Sequence, residues 1–216
     1  MPSLPRLYAI LDIDTLIARG LEPTVVCDVW LDAGIRLIQL RAKSMSSGAL
    51  LALADALAPR ARAAGATFIV NDRADMAAMC GADGVHVGQG DLTPRQVRAS
   101  WSELPGPKGP DELLIGLSTH TLDQLRAGLD EPAHYLAIGP VFPTVSKAPA
   151  DPAVGVSMVA NAAAIAGGRP LVAIGGITLE TAPGVLAAGA TSVAVISDLL
   201  RGDLASRARA FIAACT

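Results

Sequence analysis

A group of polar side chains at 39–43 has a spacing that suits anion binding. Gln39, Arg41 and Lys43 alternate with Leu40 and Ala42, and alternation along a strand places side chains on one face. Two neighbouring cations inside a fold need an anionic partner to offset their desolvation and repulsion. A phosphate or diphosphate meets that need, and arginine can bind it through two hydrogen bonds. The alternative is a structural ion pair with an aspartate of a neighbouring strand.

Two carboxylates, Asp72 and Asp91, follow short apolar segments in the same way. Mg²⁺ commonly takes one or two carboxylates and completes its shell with waters and substrate phosphate oxygens. Two carboxylates that face a cationic diphosphate site therefore predict a magnesium site. The alternative is that each aspartate caps the helix that follows it, although Thr93 before Pro94 is the better cap.

A second phosphate site is predicted near the end of the chain. Gly175-Gly176 and Ile196-Ser197 follow the last two strand-like segments. In parallel α/β barrels, backbone N–H groups at these two places commonly bind phosphate, and glycine lets the backbone come close. The alternative is ordinary turn chemistry at the paired glycines.

One lysine is a candidate for stabilising a leaving phosphate. Lys147 lies in a polar stretch, 144–155, that has no helical or strand periodicity. A lysine beside Thr144 and Ser146 can act on a departing anion as a point charge. The alternative is a solvated surface side chain.

The remaining polar residues are predicted to be structural. His86 is expected to face inward with its hydrogen bonds satisfied, and His134 begins a strand. His120 is more open to a catalytic role, but a positioning role is expected for it. Asp12 and Asp14 are expected to cap the helix that follows them.

Eight short apolar segments, separated by about 20 to 30 residues, must position these side chains. Near-continuous apolar runs of this length indicate parallel strands covered on both faces. The predicted strands are Leu7–Leu11, Arg36–Leu40, Thr67–Val70, Gly84–Val87, Leu113–Leu117, Tyr135–Ile138, Leu171–Ile174 and Ser192–Ile196.

The stretches between these segments have helical spacing, most clearly Ser47–Ala64 and Thr181–Ala188. This alternation predicts an α/β fold, a single (β/α)₈ TIM barrel domain over residues 1–216, with its active site at the C-terminal ends of the strands. The alternative is an open, doubly wound sheet, but the Gly-x-Gly-x-x-Gly turn typical of that fold is absent from this sequence.

Composition excludes several classes of protein. The 216 residues are 51% hydrophobic and 17% charged, with a formal net charge of −3. Disordered chains are less hydrophobic and more charged, and a generic nucleic-acid binder would be basic. Three widely separated cysteines predict reduced thiols and a cytoplasmic location. No signal peptide or membrane-spanning segment is expected.

The strand ends together resemble those of the thiamine-phosphate synthase (thiamine-phosphate pyrophosphorylase) family over essentially the whole chain. Each stretch alone is weak, but seven in order at successive strand ends are specific. The matching stretches are Gln-Leu-Arg-Ala-Lys at 39–43, Asn-Asp-Arg at 71–73, Gly-Val-His-Val-Gly-Gln-Gly-Asp at 84–91, Ser-Thr-His at 118–120, Gly-Pro-Val-Phe-Pro-Thr at 139–144, Ala-Ile-Gly-Gly-Ile at 173–177 and Val-Ile-Ser at 195–197.

The resemblance implies a Mg²⁺-dependent transferase of thiamine biosynthesis. Such an enzyme joins hydroxymethylpyrimidine diphosphate to thiazole phosphate and releases thiamine phosphate and diphosphate. Diphosphate leaves first, and the thiazole nitrogen then captures the pyrimidine-methyl cation. Both substrates are small molecules, neither nucleic acid nor membrane is involved, and a homo-oligomer is left open.

The resemblance also implies a role for each matching residue. The pyrimidine diphosphate is expected at Gln39, Leu40, Arg41, Ala42, Lys43, Asn71, Ser118 and Lys147, of which Arg41, Lys43 and Lys147 are the catalytic cations. The Mg²⁺ ligands are Asp72 and Asp91, and the thiazole phosphate is expected at Thr144, Val145, Ser146, Gly176, Ile196 and Ser197. Asp198 departs from the family pattern, in which a small residue is commoner. An acid there weakens a phosphate site unless it points away.

Three other functions are weighed against this one. A thiazole tautomerase relative shares the thiazole-phosphate site and a histidine like His120, but lacks much of the diphosphate and metal set. A sugar-phosphate isomerase or epimerase needs an acid–base pair across the barrel. A non-catalytic protein that binds thiazole phosphate has no need of the two aspartates.

Overall fold

Eight parallel strands form a closed barrel in the computed structural model, which describes residues 4–101, 103–104, 109, 112–144 and 152–216. Each strand pairs with its neighbours in chain order, and β1 pairs with β8 to close the barrel. The strands are β1 (Leu7–Asp12), β2 (Leu37–Arg41), β3 (Thr67–Asn71), β4 (Gly84–Val87), β5 (Leu114–Thr119), β6 (Tyr135–Ile138), β7 (Leu171–Ile174) and β8 (Ser192–Val195).

The predicted (β/α)₈ fold class is confirmed, and the corrections concern strand bounds. β2 and β5 begin one residue later than predicted, at Leu37 and Leu114. β1, β2 and β3 each continue one residue further than predicted, to Asp12, Arg41 and Asn71, and β5 continues to Thr119. β8 ends at Val195, one residue earlier. The four predicted strands that end too early stop directly before a polar residue. In a barrel, however, the backbone hydrogen bonds between strands continue to the mouth, where the inward side chains become polar. The extent of the domain, residues 1–216, stays a prediction.

Helices connect the strands and pack around the barrel. In the described ranges they are α1 (Ile13–Ala18), α2 (Pro23–Asp32), α3 (Ser47–Ala63), α4 (Ala74–Met79), α5 (Pro94–Trp101), α6 (Leu122–Leu129), α7 (Gly155–Ile165), α8 (Ala182–Ala187) and α9 (Leu204–Ala214), with a 3₁₀ helix at Ser197–Leu200. The predicted helices at 47–64 and 181–188 are therefore α3 and α8, each slightly shorter.

Side-chain caps start several of these helices. Asp12 accepts a hydrogen bond from the backbone of Thr15 at 2.9 Å and caps α1, as predicted. Asp14 does not cap; it lies in the first turn and accepts a hydrogen bond from Ser44. Thr121 caps α6. Because these caps follow strand ends, they determine where each chain segment turns away from the barrel mouth.

The alternation of side chains along each strand divides the core into two layers. Residues such as Leu11 and Leu40 point outward and pack against the helices. Residues such as Ile10, Ile69 and Val172 point into the barrel. Since both faces of every strand are buried, the parity of a residue decides whether it reaches the barrel interior.

Among the residues that the structure describes, no helix is both long and apolar enough to cross a membrane.

A glycine in β4 makes close strand packing possible, and its substitution is predicted to destabilise the fold. A Cβ added at Gly84 would lie 2.1 Å from the carbonyl oxygen of Leu114. We expect Gly84→Ala to lower the free energy of unfolding by about 1–3 kcal/mol, because the clash is with backbone. Urea denaturation measures the change. Gly48→Ala in α3 is the matched control, since nothing lies within 4 Å of its added Cβ; an equal loss in both variants would contradict the prediction.

Candidate active site

A cavity of about 770 Å³ opens at the C-terminal ends of the strands. Its walls come from all eight strands or the loops that follow them, so one space collects residues that are far apart in the chain. Eleven of the residues predicted for the site line it: Gln39, Arg41, Lys43, Asn71, Asp72, Asp91, Ser118, Thr144, Gly176, Ile196 and Ser197.

Five other predicted residues are not seen to line this cavity. Leu40 is fully buried between the barrel and its helices, and Ala42 packs against the same layer. Their alternate parity in and after β2 directs both side chains away from the mouth, so only their backbone atoms remain candidates for substrate contact. Val145, Ser146 and Lys147 lie outside the described residues.

Two cations lie at the C-terminal end of β2 and just beyond it, and each is paired with an aspartate of a neighbouring segment. Arg41 contacts the buried carboxylate of Asp12 on β1. Lys43 lies beyond the end of β2, and its Nζ is 2.5 Å from Asp72 Oδ2 after β3. The ion-pair alternative for these cations is therefore present in the structure. Both still line the cavity, and Lys43 is half exposed, so its ammonium is accessible to an anion at the mouth.

Asp72 has the one left-handed backbone among non-glycine residues of the described chain, with φ of 62°. Aspartate tolerates this region better than most residues, but the conformation is still unfavourable. Burial raises the pKa of Asp72; the Lys43 ammonium lowers it, and the nearby Asp91 carboxylate raises it again, leaving a net increase. Two carboxylates that are close enough to repel each other favour binding of a shared cation or proton.

Neither aspartate caps a helix. Arg73, not Asp72, precedes α4, and Thr93 Oγ1 accepts the 3.2 Å hydrogen bond from Gln96 that starts α5. Asp91 instead accepts a hydrogen bond from Gly88 N at 2.8 Å. The capping alternative is therefore wrong for both.

The donor set in this place suits a hard divalent cation. In the described ranges there is no group of three or more His, Cys, Asp or Glu side chains that could hold a metal ion. Asp72 and Asp91 alone supply two oxygens or more, and Mg²⁺ typically takes one or two carboxylates with waters and phosphate oxygens. The two residues fit that ion and do not fit zinc, which takes nitrogen and sulfur ligands in closed sites.

The opposite side of the mouth is formed by close backbone packing around Gly176. This residue has φ of +64°, and a Cβ there would lie 2.6 Å from the carbonyl oxygen of Pro143. Phe142 N donates to Gly175 O at 3.0 Å, which holds the loop after β6 against the loop after β7. Only glycine combines this conformation with this approach.

The carboxylate of Asp198 is held by other groups. It accepts a hydrogen bond from Leu179 N at 2.8 Å and pairs with Arg207, while Arg201 Nε lies 3.2 Å from its other oxygen. Two arginines therefore offset the charge that the sequence placed beside the phosphate site. Arg201 and Arg19 also line the cavity, and neither was predicted from the sequence. For Arg201, the spacing of three residues from Asp198 could have indicated an ion pair.

Beneath the mouth, five side chains form a continuous line of hydrogen bonds across the barrel. Gln39 Nε2 donates to Tyr8 Oη at 2.7 Å, and Tyr8 Oη is 2.9 Å from Tyr135 Oη. Tyr135 Oη is 3.0 Å from His86 Nδ1, and His86 Nε2 is 2.8 Å from Ser118 Oγ. Burial raises the pKa of both phenols and lowers the pKa of His86 to about 4. All three groups are neutral at neutral pH.

The structural role expected of His86 is therefore present, but its partners were missed. Tyr8 and Tyr135 were treated as ordinary apolar positions of their strands. The alternation of side chains along the strands could have revealed them. Gln39 on β2 pairs with Ile10 on β1, two residues from Tyr8, and both tyrosines lie on the inward face of their strands.

The other two histidines form hydrogen bonds with backbone groups of neighbouring segments. His120 Nδ1 is 2.7 Å from the carbonyl oxygen of Gly139, and this residue lines the cavity. His134 Nδ1 accepts a hydrogen bond from Ile115 N at 2.9 Å, which agrees with its predicted structural role.

Comparison with known proteins decides the family. Residues 7–199 match the family model described as thiamine monophosphate synthase. The chain belongs to the thiamine monophosphate synthase family. The family predicted from the strand ends is thereby confirmed, and with it the class of enzyme, a transferase.

Individual relatives agree with this family. A thiamine-phosphate synthase of Koribacter versatilis is 42% identical over 203 residues, which cover 92% of this chain and 90% of the relative. One of Thermus thermophilus is 41% identical over 170 residues, covering 79% and 77%. A solved thiamine phosphate pyrophosphorylase from Pyrococcus furiosus has a TM-score of 0.84 at 26% identity and covers 98% of this chain and 95% of its own. The tautomerase, isomerase and binding-protein alternatives are not favoured.

The buried His86 predicts an acid-sensitive fold. An unfolded chain protonates this imidazole near pH 6.5, whereas the folded one does so only near pH 4. The unfolded state therefore binds more protons in this window, and stability falls as pH decreases from 6.5 to 4 by roughly 3 kcal/mol.

Urea denaturation at half-unit pH steps measures this loss. His86→Gln should flatten the slope across the window, because the other titrating groups are common to both proteins. An unchanged slope in the variant would show that His86 is not its source.

Proposed function

We propose that this protein is a Mg²⁺-dependent thiamine-phosphate synthase that condenses hydroxymethylpyrimidine diphosphate with thiazole phosphate. One observation carries the proposal: a single cavity joins a cation and carboxylate group on one side to a glycine-lined loop pair on the other. A reaction between one diphosphate ester and one phosphate ester needs two anion sites with the reacting atoms between them. The names of the relatives support the same product, thiamine phosphate.

The diphosphate is assigned to the side formed by Arg41, Lys43 and Asn71. Arg41 keeps its guanidinium positioned through Asp12, while the half-exposed Lys43 can exchange its contact with Asp72 for one with substrate. Pre-positioned cations stabilise charge that develops on a leaving group. Gln39 and Ser118, deeper in the cavity, are assigned to the pyrimidine ring.

Asp72 and Asp91 are assigned to Mg²⁺. The left-handed backbone of Asp72 turns its carboxylate toward Asp91, and the hydrogen bond from Gly88 N fixes Asp91. When bound, Mg²⁺ would neutralise diphosphate oxygens and so favour departure of the leaving group. The two aspartates then lose the mutual repulsion that raises the pKa of Asp72.

The thiazole phosphate is assigned to the other side, at Thr144, Gly176, Ile196 and Ser197, with Val145 and Ser146 completing the site as the resemblance implies. Backbone N–H groups can approach a phosphate closely where glycine has no side chain. Arg19 also lines the cavity and adds positive charge there.

In the proposed reaction, the carbon–oxygen bond of the pyrimidine-methyl diphosphate breaks first and its electron pair leaves with diphosphate. The thiazole nitrogen then donates its own lone pair to the pyrimidine-methyl cation. No general base is needed, because the thiazole nitrogen has its own lone pair. A carbocation must be kept from water, so we expect the stretch 144–155, mostly outside the described residues, to close over the substrates.

The protein's setting is proposed from the same reasoning. Its partners are the two small-molecule substrates, and a cytoplasmic location remains a prediction from the cysteine content.

The proposed function is tested by mixing the protein with both substrates and measuring diphosphate release, with Mg²⁺ and then with a chelator. We expect release that requires both substrates and the metal, together with thiamine phosphate detected by mass spectrometry. Binding of thiazole phosphate without release would contradict the proposal and direct attention to His120 and tautomerase chemistry.

Removing either carboxylate is predicted to impair metal-dependent turnover. Asp72→Asn and Asp91→Asn should each lower kcat by on the order of a hundredfold and shift the Mg²⁺ titration to higher concentration. Asp28→Asn is the control, because its pair with Arg60 is exposed and distant from the mouth. A normal Mg²⁺ titration in both site variants would overturn the metal assignment.

Lys147 is predicted to act on the leaving group. Lys147→Ala should slow single-turnover diphosphate release by more than about tenfold, since a point charge near the departing oxygens is lost. Lys108→Ala, in the proline-rich stretch 105–110, is the matched control. Equal single-turnover rates in the two variants would return Lys147 to the role of a solvated lysine.

A further inference from the structure

The hydrogen-bonded line at the floor of the cavity runs from Gln39 to Ser118, and Tyr8 and His86 within it also line the cavity. Gln39 and Ser118 stand at its two ends, on β2 and β5, on opposite sides of the barrel. Tyr8, Tyr135 and His86 connect them, and both tyrosines are only 1% exposed. A buried hydroxyl that does not donate its hydrogen is unfavourable, so the direction of each bond depends on its neighbours.

Donor counting gives the line one direction. The amide nitrogen of Gln39, not its oxygen, faces Tyr8 Oη. Tyr8 must then donate to Tyr135, which is its only other partner in the described chain. Tyr135 in turn donates to His86 Nδ1, so the imidazole carries its proton on Nε2 and donates to Ser118 Oγ. The hydroxyl hydrogen of Ser118 is left to point into the cavity.

This direction determines what the cavity presents to a ligand. The Gln39 carbonyl oxygen accepts no hydrogen bond from the described residues and is available as an acceptor. The Ser118 hydroxyl is available as a donor. The two groups are complementary to a flat heterocycle with an N–H donor on one edge and an unprotonated ring nitrogen on another.

We propose that Tyr8, Tyr135 and His86 are positioning residues that hold Gln39 as an acceptor and Ser118 as a donor, and so make the cavity specific for an aminopyrimidine ring. The inference rests on the proposed function, because it takes the pyrimidine diphosphate as the substrate. The three residues act by orienting Gln39 and Ser118, and the proposal gives them no part in breaking or forming bonds.

Space for the line is kept by a glycine in the neighbouring strand. A Cβ at Gly116 would lie 2.1 Å from Tyr135 Cζ and 2.5 Å from His86 Nδ1. The imidazole and the Tyr135 ring lie 5.5 Å apart at an interplanar angle of 21°. The stacked arrangement that brings Tyr135 Oη to His86 Nδ1 therefore requires glycine at 116.

The direction of the line is tested without any substrate. Nitrogen-15 NMR of the folded protein distinguishes imidazole tautomers, and the His86 signals are assigned by their loss in His86→Gln. We expect the proton on Nε2. A proton on Nδ1 would mean that the line runs the other way, with Ser118 donating to His86, and would overturn the proposal whether or not the protein makes thiamine phosphate.

The effect on recognition is tested with Tyr135→Phe and Tyr8→Phe, which remove one hydroxyl each. Thr119→Val is the control, because it removes a buried hydroxyl whose one partner among the described residues is the Ala137 carbonyl, at 2.8 Å. Binding of hydroxymethylpyrimidine diphosphate is compared with binding of inorganic diphosphate, which uses the cations and not the ring contacts. An analogue with methyl in place of the amino group measures selectivity.

We expect each tyrosine variant to bind the pyrimidine diphosphate about tenfold more weakly and to lose most discrimination against the methyl analogue, with inorganic diphosphate binding unchanged within about twofold. Thr119→Val should change none of the three. A parallel loss for both diphosphates, or unchanged selectivity in a folded tyrosine variant, would overturn the positioning role. If one variant fails to fold, the other and the tautomer measurement still decide.

Discussion

Every strand of this barrel is buried on both faces, and that constraint governs where polar chemistry can be placed. An outward residue must be apolar because it packs against a helix, as Leu40 does. An inward polar residue must either lie near the mouth or satisfy its hydrogen bonds inside the barrel. Arg41 follows the first route and Tyr135 the second. The site and the line beneath it are consequences of the same parity.

Electrostatics at the mouth depend on charges that offset one another across neighbouring strands. Asp12 stabilises Arg41, and Asp72 contacts Lys43 while it is destabilised by Asp91. A buried cation keeps its position when it has a partner, but a carboxylate beside another carboxylate favours an added cation. The same residues can therefore form ion pairs with one another and also bind a ligand. The pairs organise the side chains that a diphosphate and Mg²⁺ would then contact.

Much of this was predictable from residue order. Seven strand-end stretches identified the family, and eleven residues predicted from them line one cavity. Residue order did not give the direction of each side chain. Leu40 and Ala42 were included with Gln39, Arg41 and Lys43 because they lie in one motif, yet the strand directs their side chains to the other face. The sequence also placed the negative charge of Asp198 beside the predicted phosphate site. In the structure, Arg207 and Arg201 offset that charge.

The sequence by itself determined the alternating strand and helix order, the polar strand ends and the family, because these depend on local periodicity and on residue identity. Only the tertiary structure decided which residues meet across the barrel. Tyr8 and Tyr135 are 127 positions apart and share a hydrogen bond only because β1 and β6 face the same interior. The left-handed backbone of Asp72 and the packing of Gly116 against His86 likewise depend on barrel closure. Such contacts follow from the register of eight strands, which no single segment encodes.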